Sequence, residues 1–164
     1  MASRRDDYLI RMIEQLRQFV AEALRRRESG QLDLALVMLM QAQEKLFARP
    51  TAGFIALPLD EQLRLLTLDE PPETAREKTL LYAELLKEAS KVYRARDQRE
   101  LATSALQLAL QVTLIAAIAS PSHRETLRLE AAALLGELTP ELSPDELHAP
   151  VQALLAELGL APRS

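Results

Sequence analysis

Ala35, Leu39 and Ala42 recur as Ala102, Leu106 and Ala109, offset by 67 residues. Steps of four and three put each trio on one face of a helix. Small side chains at those points let one helix of an antiparallel pair seat closely against its neighbour. A chain that carries this spacing twice is constrained towards helical hairpins. The rest of the sequence agrees. Of its 164 residues 48% are hydrophobic, only 4% are aromatic and four are glycine. Leu, Ala, Glu, Gln and Arg lose little side-chain freedom in a helix. β-Branched residues are few and never alternate over a strand length. The fold class expected is therefore all-α. The length suits a single domain spanning 1–164, and a chain of this size buries about 70% of the surface its unfolded form exposes.

Hydrophobic periodicity predicts six substantial helices and one short one. The first runs from about Asp6 to Glu28, with Leu9, Met12, Ile13, Leu16, Phe19, Val20, Ala23 and Leu24 on its apolar face. Asp6 and Asp7 in its first turn and Arg25, Arg26 and Arg27 in its last suit the helix dipole. Gly30 ends it, and a second helix follows from about Leu32 to Ala48. Pro50, Gly53 and Pro58 break the stretch 49–72, which retains a short helix over Asp60 to Leu68. There Leu63, Leu65 and Leu66 are expected to pack inward. Pro71 and Pro72 mark the start of a long helix to about Arg96, since proline is tolerated in a first turn. A tight turn leads to a helix from Arg99 to Ala119, apolar almost all round and hence central. Ser122 with Glu125 reads as a capping box ahead of a run to Leu138. Ser143 with Glu146 repeats that signal for the last helix, which Pro150 should kink or split. Gly159 and Pro162 supply its stop.

Charge narrows the function classes. The net charge of −4 is unevenly placed: residues 1–99 hold 17 Lys/Arg against 16 Asp/Glu, and residues 100–164 hold 3 against 8. No basic face of the kind that binds nucleic acid is expected. There is no cysteine, which excludes disulfides, thiolate nucleophiles and cysteine-ligated zinc. The opening residues are charged and form no apolar leader core. The apolar run Leu114 to Ala119 is far shorter than the ~20 residues a bilayer span needs. A cytoplasmic protein with no membrane role is the expectation.

The recurring residues match a known pattern. Phe19, Ala23, Gly30, Leu32, Ala35, Leu39 and Ala42 form one copy, and Leu86, Ala89, Ser90, Tyr93, Ala102, Leu106 and Ala109 a second. Both copies resemble the tetratricopeptide repeat, a helix–turn–helix unit. Arg26 stands where that repeat has a tyrosine. The opening Asp7, Tyr8, Leu9, Ile10, Arg11, Met12, Ile13, Glu14 resembles the start of a bacterial protein family of unknown function. Members of that family are similar to divergent tetratricopeptide-type proteins. The likeness continues through Gly30 to Leu36 and through Leu81 to Glu88. It implies stacked antiparallel helix hairpins and supplies no activity and no catalytic residue.

Candidate chemistry is sparse. His123 and His148 are the only histidines, and Asp145 with His148 falls short of the three or four ligands a metal needs. No Gly-x-Ser-x-Gly elbow and no glycine-rich phosphate loop occurs. An enzyme is not expected, nor a metal or any other cofactor. Lys87, Lys91 and Arg94 share a helical face, with Arg96 and Arg99 just beyond. Glu84 and Glu88 interleave with them, and intrahelical pairing makes a solvated face the plainer account. The sharper account is an anionic-peptide site. Arg25 to Arg27 lack neighbouring aromatics and suit a helix end. Tyr8, Arg11 and Glu14 fit ordinary capping and pairing, or docking. The stretch Val112 to Ala119 suits a buried helix, or a surface for self-association. The function expected is a non-enzymatic scaffold presenting a groove to a protein or peptide. The inner faces of helices 72–96 and 99–119 would form it, with Lys87, Lys91 and Arg94 as polar contacts. A structural homodimer and a small-molecule or lipid binder are the alternatives.

Overall fold

The computed structural model describes residues 4–161. Seven α-helices follow one another: α1 (Arg4–Glu28), α2 (Leu32–Phe47), α3 (Leu59–Thr67), α4 (Pro72–Ala95), α5 (Arg99–Ala119), α6 (Arg124–Leu138) and α7 (Ala149–Glu157). Three short 3-10 turns, Thr51–Gly53, Pro121–His123 and Pro144–Glu146, complete the regular structure, and no strand occurs among the described residues. The fold is all-α, as the composition implied. The chain forms two compact units, Met1–Lys78 and Thr79–Ser164, divided within α4. The side chain of Asp6 and the expected stop at Pro162 lie outside the described residues.

In the first unit α1 packs on α2. Leu9, Met12, Ile13, Leu16, Val20 and Ala23 are buried along α1, and Ala35, Leu39, Ala42, Leu46 and Phe47 along α2. Phe19 stays at the rim, where the Lys45 ammonium sits 5.2 Å from its ring centroid. Three side chains hold the irregular stretch before α3, the first being Glu44, whose carboxylate accepts the Thr51 N–H at 3.2 Å. Phe54 is fully buried and stacks on Phe47 with centroids 4.2 Å apart. Gln62, buried on α3, donates from Nε2 to the carbonyls of Phe54 (3.0 Å) and Leu57 (3.1 Å). Leu63 and Leu66 pack inward as expected, while Leu65 is half-buried. Gln62 takes an inward position in α3, because the carbonyls of the preceding loop need a donor there.

In the second unit α5 is central: α6 and α7 both pack on it. Ser90 of α4 donates from Oγ to the Ala102 carbonyl of α5 at 2.8 Å. A side chain this short reaches a neighbouring backbone only where two helices cross closely, and the crossing lies at the small-residue positions. Ala102, Leu106 and Ala109 are buried, as are their counterparts Ala35, Leu39 and Ala42. Val112, Leu114, Ala116 and Ala117 are buried too, so most of the stretch to Ala119 is core. The helix is not buried all round: Leu101 is 48% exposed. Gln107 and Thr113 are buried in its stead. Each has a partner: Gln107 Oε1 accepts the His148 N–H at 2.7 Å, and Thr113 Oγ1 donates to the Ala109 carbonyl at 2.8 Å.

The twinned pattern extends into the turns. Gly30 and Asp97, again 67 apart, both have positive φ, +83° and +60°. After α1 the Gly30 N–H donates to Arg27 C=O (3.1 Å) and Gln31 N–H to Arg26 C=O (2.8 Å). After α4 the Asp97 N–H donates to Arg94 C=O (3.0 Å) and Gln98 N–H to Tyr93 C=O (2.9 Å). These are the paired bonds of a Schellman ending. Each hairpin thus closes with the same backbone geometry.

Two start signals resolve differently from expectation. Ser122 and Glu125 form no capping box. Pro121, with its fixed φ, opens a 3-10 turn at once, which leaves Ser122 inside the turn, its Oγ 3.0 Å from His123 Nδ1. The Ser143–Glu146 box does form: the Glu146 carboxylate accepts the Ser143 N–H at 2.7 Å and its hydroxyl at 3.0 Å. It opens only the turn Pro144–Glu146. Pro150 then sits in the first turn of α7, where its missing N–H costs nothing. The expected split at Pro150 is therefore a second start.

Among the described residues one helix, α5, is long and apolar enough by composition to cross a membrane, its most apolar 18-residue window having a mean hydropathy of 1.8. The apolar run to Ala119 is short, but the residues interrupting the helix before it are uncharged Thr, Ser and Gln. Of that 18-residue window 56% is buried.

Candidate functional site

A cleft of about 420 Å³ lies in the second unit. Leu80, Ala83, Glu84 and Lys87 of α4 form one wall, Glu130, Ala133, Leu134 and Glu137 of α6 the other, and Thr113 of α5 part of the floor. Both walls repeat one spacing, i, i+3, i+4 and i+7, which gathers four side chains on a single helix face. Seven steps of ~1.5 Å make each wall about 10 Å long. Each wall combines apolar and charged side chains. The Thr113 hydroxyl adds no free donor to the floor, being committed to Ala109.

The three sequence-predicted contacts separate. Lys87 lines the cleft. Lys91 instead pairs with Glu88, Nζ to Oε1 at 3.1 Å. Arg94 is exposed, near the C-terminal end of α4. Three carboxylates, Glu84, Glu130 and Glu137, share the cleft with Lys87, so its lining is acidic on balance. The α6 wall was not anticipated from the sequence. Its signal was present, since Glu130, Ala133, Leu134 and Glu137 repeat the spacing of Leu80 to Lys87.

Two further depressions, of about 340 and 450 Å³, lie in other parts of this unit. Arg124 and Arg128 border one, and both are occupied as helix caps. Arg124 Nη2 donates to Ile118 C=O at 2.9 Å and Nε to Ala117 C=O at 3.3 Å, at the end of α5. Arg128 Nε donates to Leu158 C=O at 2.8 Å, at the end of α7. The other is lined by Arg99, Gln107, Glu146 and His148, among others. The two bonds from Ser143 hold the Glu146 carboxyl below its ordinary range. Among the described residues no group of three or more His, Asp and Glu side chains is placed to hold a metal ion.

In α4 burial pushes the Tyr82 hydroxyl up from 10.0 to about 12, so it stays protonated at physiological pH. Comparison of the chain with protein-family models, with curated proteins and with solved structures finds no match.

Proposed function

We propose that the protein is a non-enzymatic scaffold whose α4–α6 cleft holds a segment of a protein partner. One observation supports this above the others: a cleft two helical turns long, whose walls carry both apolar and charged side chains. Recognition grooves combine these features, because apolar contact supplies affinity while a few polar groups fix orientation. The twin hairpins with matching turns agree with a tetratricopeptide-like architecture. The reading carries with it the bacterial family that the opening residues resemble. The cytoplasm is the proposed compartment, since a chain without cysteine gains nothing from an oxidising one.

The test is affinity capture from native lysate with the full chain and with Ala133→Trp. Ala133 is exposed in the cleft wall, so the indole fills the groove at little cost to folding. A partner retained by the wild type and lost by Ala133→Trp is expected. Identical recoveries from both would overturn the groove.

A second reading, a structural homodimer, is favoured by one feature of the first unit. Leu34, Val37 and Met40 lie at three-residue steps on α2 and are 42%, 47% and 47% exposed. Light scattering separates the two, since a monomer runs near 18.3 kDa.

A further inference from the structure

We infer that the occupant of the α4–α6 cleft is a basic segment of a partner protein, carrying lysine or arginine side chains. This rests on the proposal that the cleft is the docking groove and adds the chemistry of what docks. The lining sets three carboxylates, Glu84, Glu130 and Glu137, against the single ammonium of Lys87. Among the described residues, ion pairs of this unit include Lys91–Glu88, Arg99–Asp97 and Arg128–Glu125, and none of these uses a cleft carboxylate. The cleft's excess of negative charge complements cations.

Shape agrees with charge. Leu80, Ala83, Ala133 and Leu134 offer apolar surface between the carboxylates. Lysine and arginine have the matching build, an apolar stem with a cationic head, and lay the stem on such a surface while the head reaches out. A wall of about 10 Å accommodates some three residues of extended chain at ~3.3 Å each. That length brings two side chains of an alternating strand to the same side. Two such heads leave the backbone about 7 Å apart, and their flexible stems span the difference to Glu130 and Glu137, about 10 Å apart on α6. Lys87 fixes direction, because a basic head placed beside it is repelled.

The opposite occupant, an acidic peptide, fits poorly. Of the three basic residues on α4 only Lys87 lines the cleft, and an anion there would face three carboxylates. Like charges opposed across an interface cost several kcal/mol.

The experiment selects random heptapeptides displayed on phage against the full chain. Binders are then synthesised and titrated by fluorescence anisotropy against the wild type, Ala133→Trp, Glu130→Lys and Glu137→Gln. The expected binders are enriched in lysine and arginine, lose affinity about tenfold in Glu130→Lys, and weaken as salt rises. Glu137→Gln, which keeps shape and removes charge, moves affinity the same way by less. Acidic or neutral binders that still lose affinity in Ala133→Trp would overturn the basic-segment inference and leave the groove standing. Binders indifferent to Ala133→Trp would remove the groove as well. Circular dichroism of each variant confirms that the helices persist; Glu130 and Glu137 are exposed, so both are expected to fold.

Discussion

Single residues set the two hairpin turns, and their strain differs. Gly30 and Asp97 occupy the same left-handed geometry, which costs a residue with a Cβ roughly 1–2 kcal/mol. A Cβ built on Gly30 meets nothing within 4 Å. The cost of Gly30→Ala is therefore conformational alone, and denaturant melts should show a loss of about 1 kcal/mol. Asp97→Gly removes the same strain from the second turn but adds freedom to the unfolded chain. The expected net is a gain of about 0.5 kcal/mol. Equal and negligible effects at both sites would show that the two turns do not need their observed φ. Tyr82 adds a pH dependence. With its hydroxyl at about 12 when folded and 10.0 unfolded, the unfolded chain releases its proton first as pH rises. Stability is intact below pH 10 and falls by about 1.4 kcal/mol per unit between about 10 and 12. Melts at stepped pH should show that slope, and Tyr82→Phe should remove it.

At the scale of elements, legibility followed the kind of force involved. The bounds of α5 were readable because a tight turn precedes it and its periodicity is apolar throughout. The closing of α1 was readable because Gly30 is a direct backbone signal. The turn at Asp97 was readable only as a position, since nothing in an aspartate declares a left-handed conformation. The start of α6 was misread because Ser122 and Glu125 have capping spacing, yet the neighbouring Pro121 decides the backbone first. In the cleft, Lys87 is legible as part of a basic face, and the α6 wall only as a spacing. Clusters drawn from separate helices are invisible to the periodicity of any one of them. The loop before α3 was least legible, because a polar residue holds it. Gln62→Ala removes a donor from the Leu57 carbonyl and one of two from the Phe54 carbonyl, which keeps the Leu57 N–H, and should cost about 1–3 kcal/mol. Limited proteolysis should then cut first within 49–58. A variant that resists protease like the wild type would show that Phe54 stacking and the Glu44–Thr51 bond hold the loop without Gln62.

At the scale of the whole molecule, one hairpin pattern anchors each compact unit. Ala42 and Ala109 occupy the same place in the two copies, and both are fully buried. Leucine at either position adds three carbons to a close helix crossing, which costs about 1–3 kcal/mol through displaced backbone and strained rotamers. The two substitutions are chemically identical and differ only in the unit that receives them. If each unit is its own cooperative element, a penalty in one lowers amide protection chiefly there. Hydrogen exchange read by mass spectrometry should thus find Ala42→Leu deprotecting α1 and α2, and Ala109→Leu deprotecting α5 and α6. The second variant should also weaken peptide binding in the α4–α6 cleft, because Thr113 in its floor hydrogen-bonds to the Ala109 carbonyl. The first should leave binding unchanged. Protection lost evenly along the chain in both variants would mean that the halves unfold together, and that the repeat is one of sequence and local geometry without separate cooperativity.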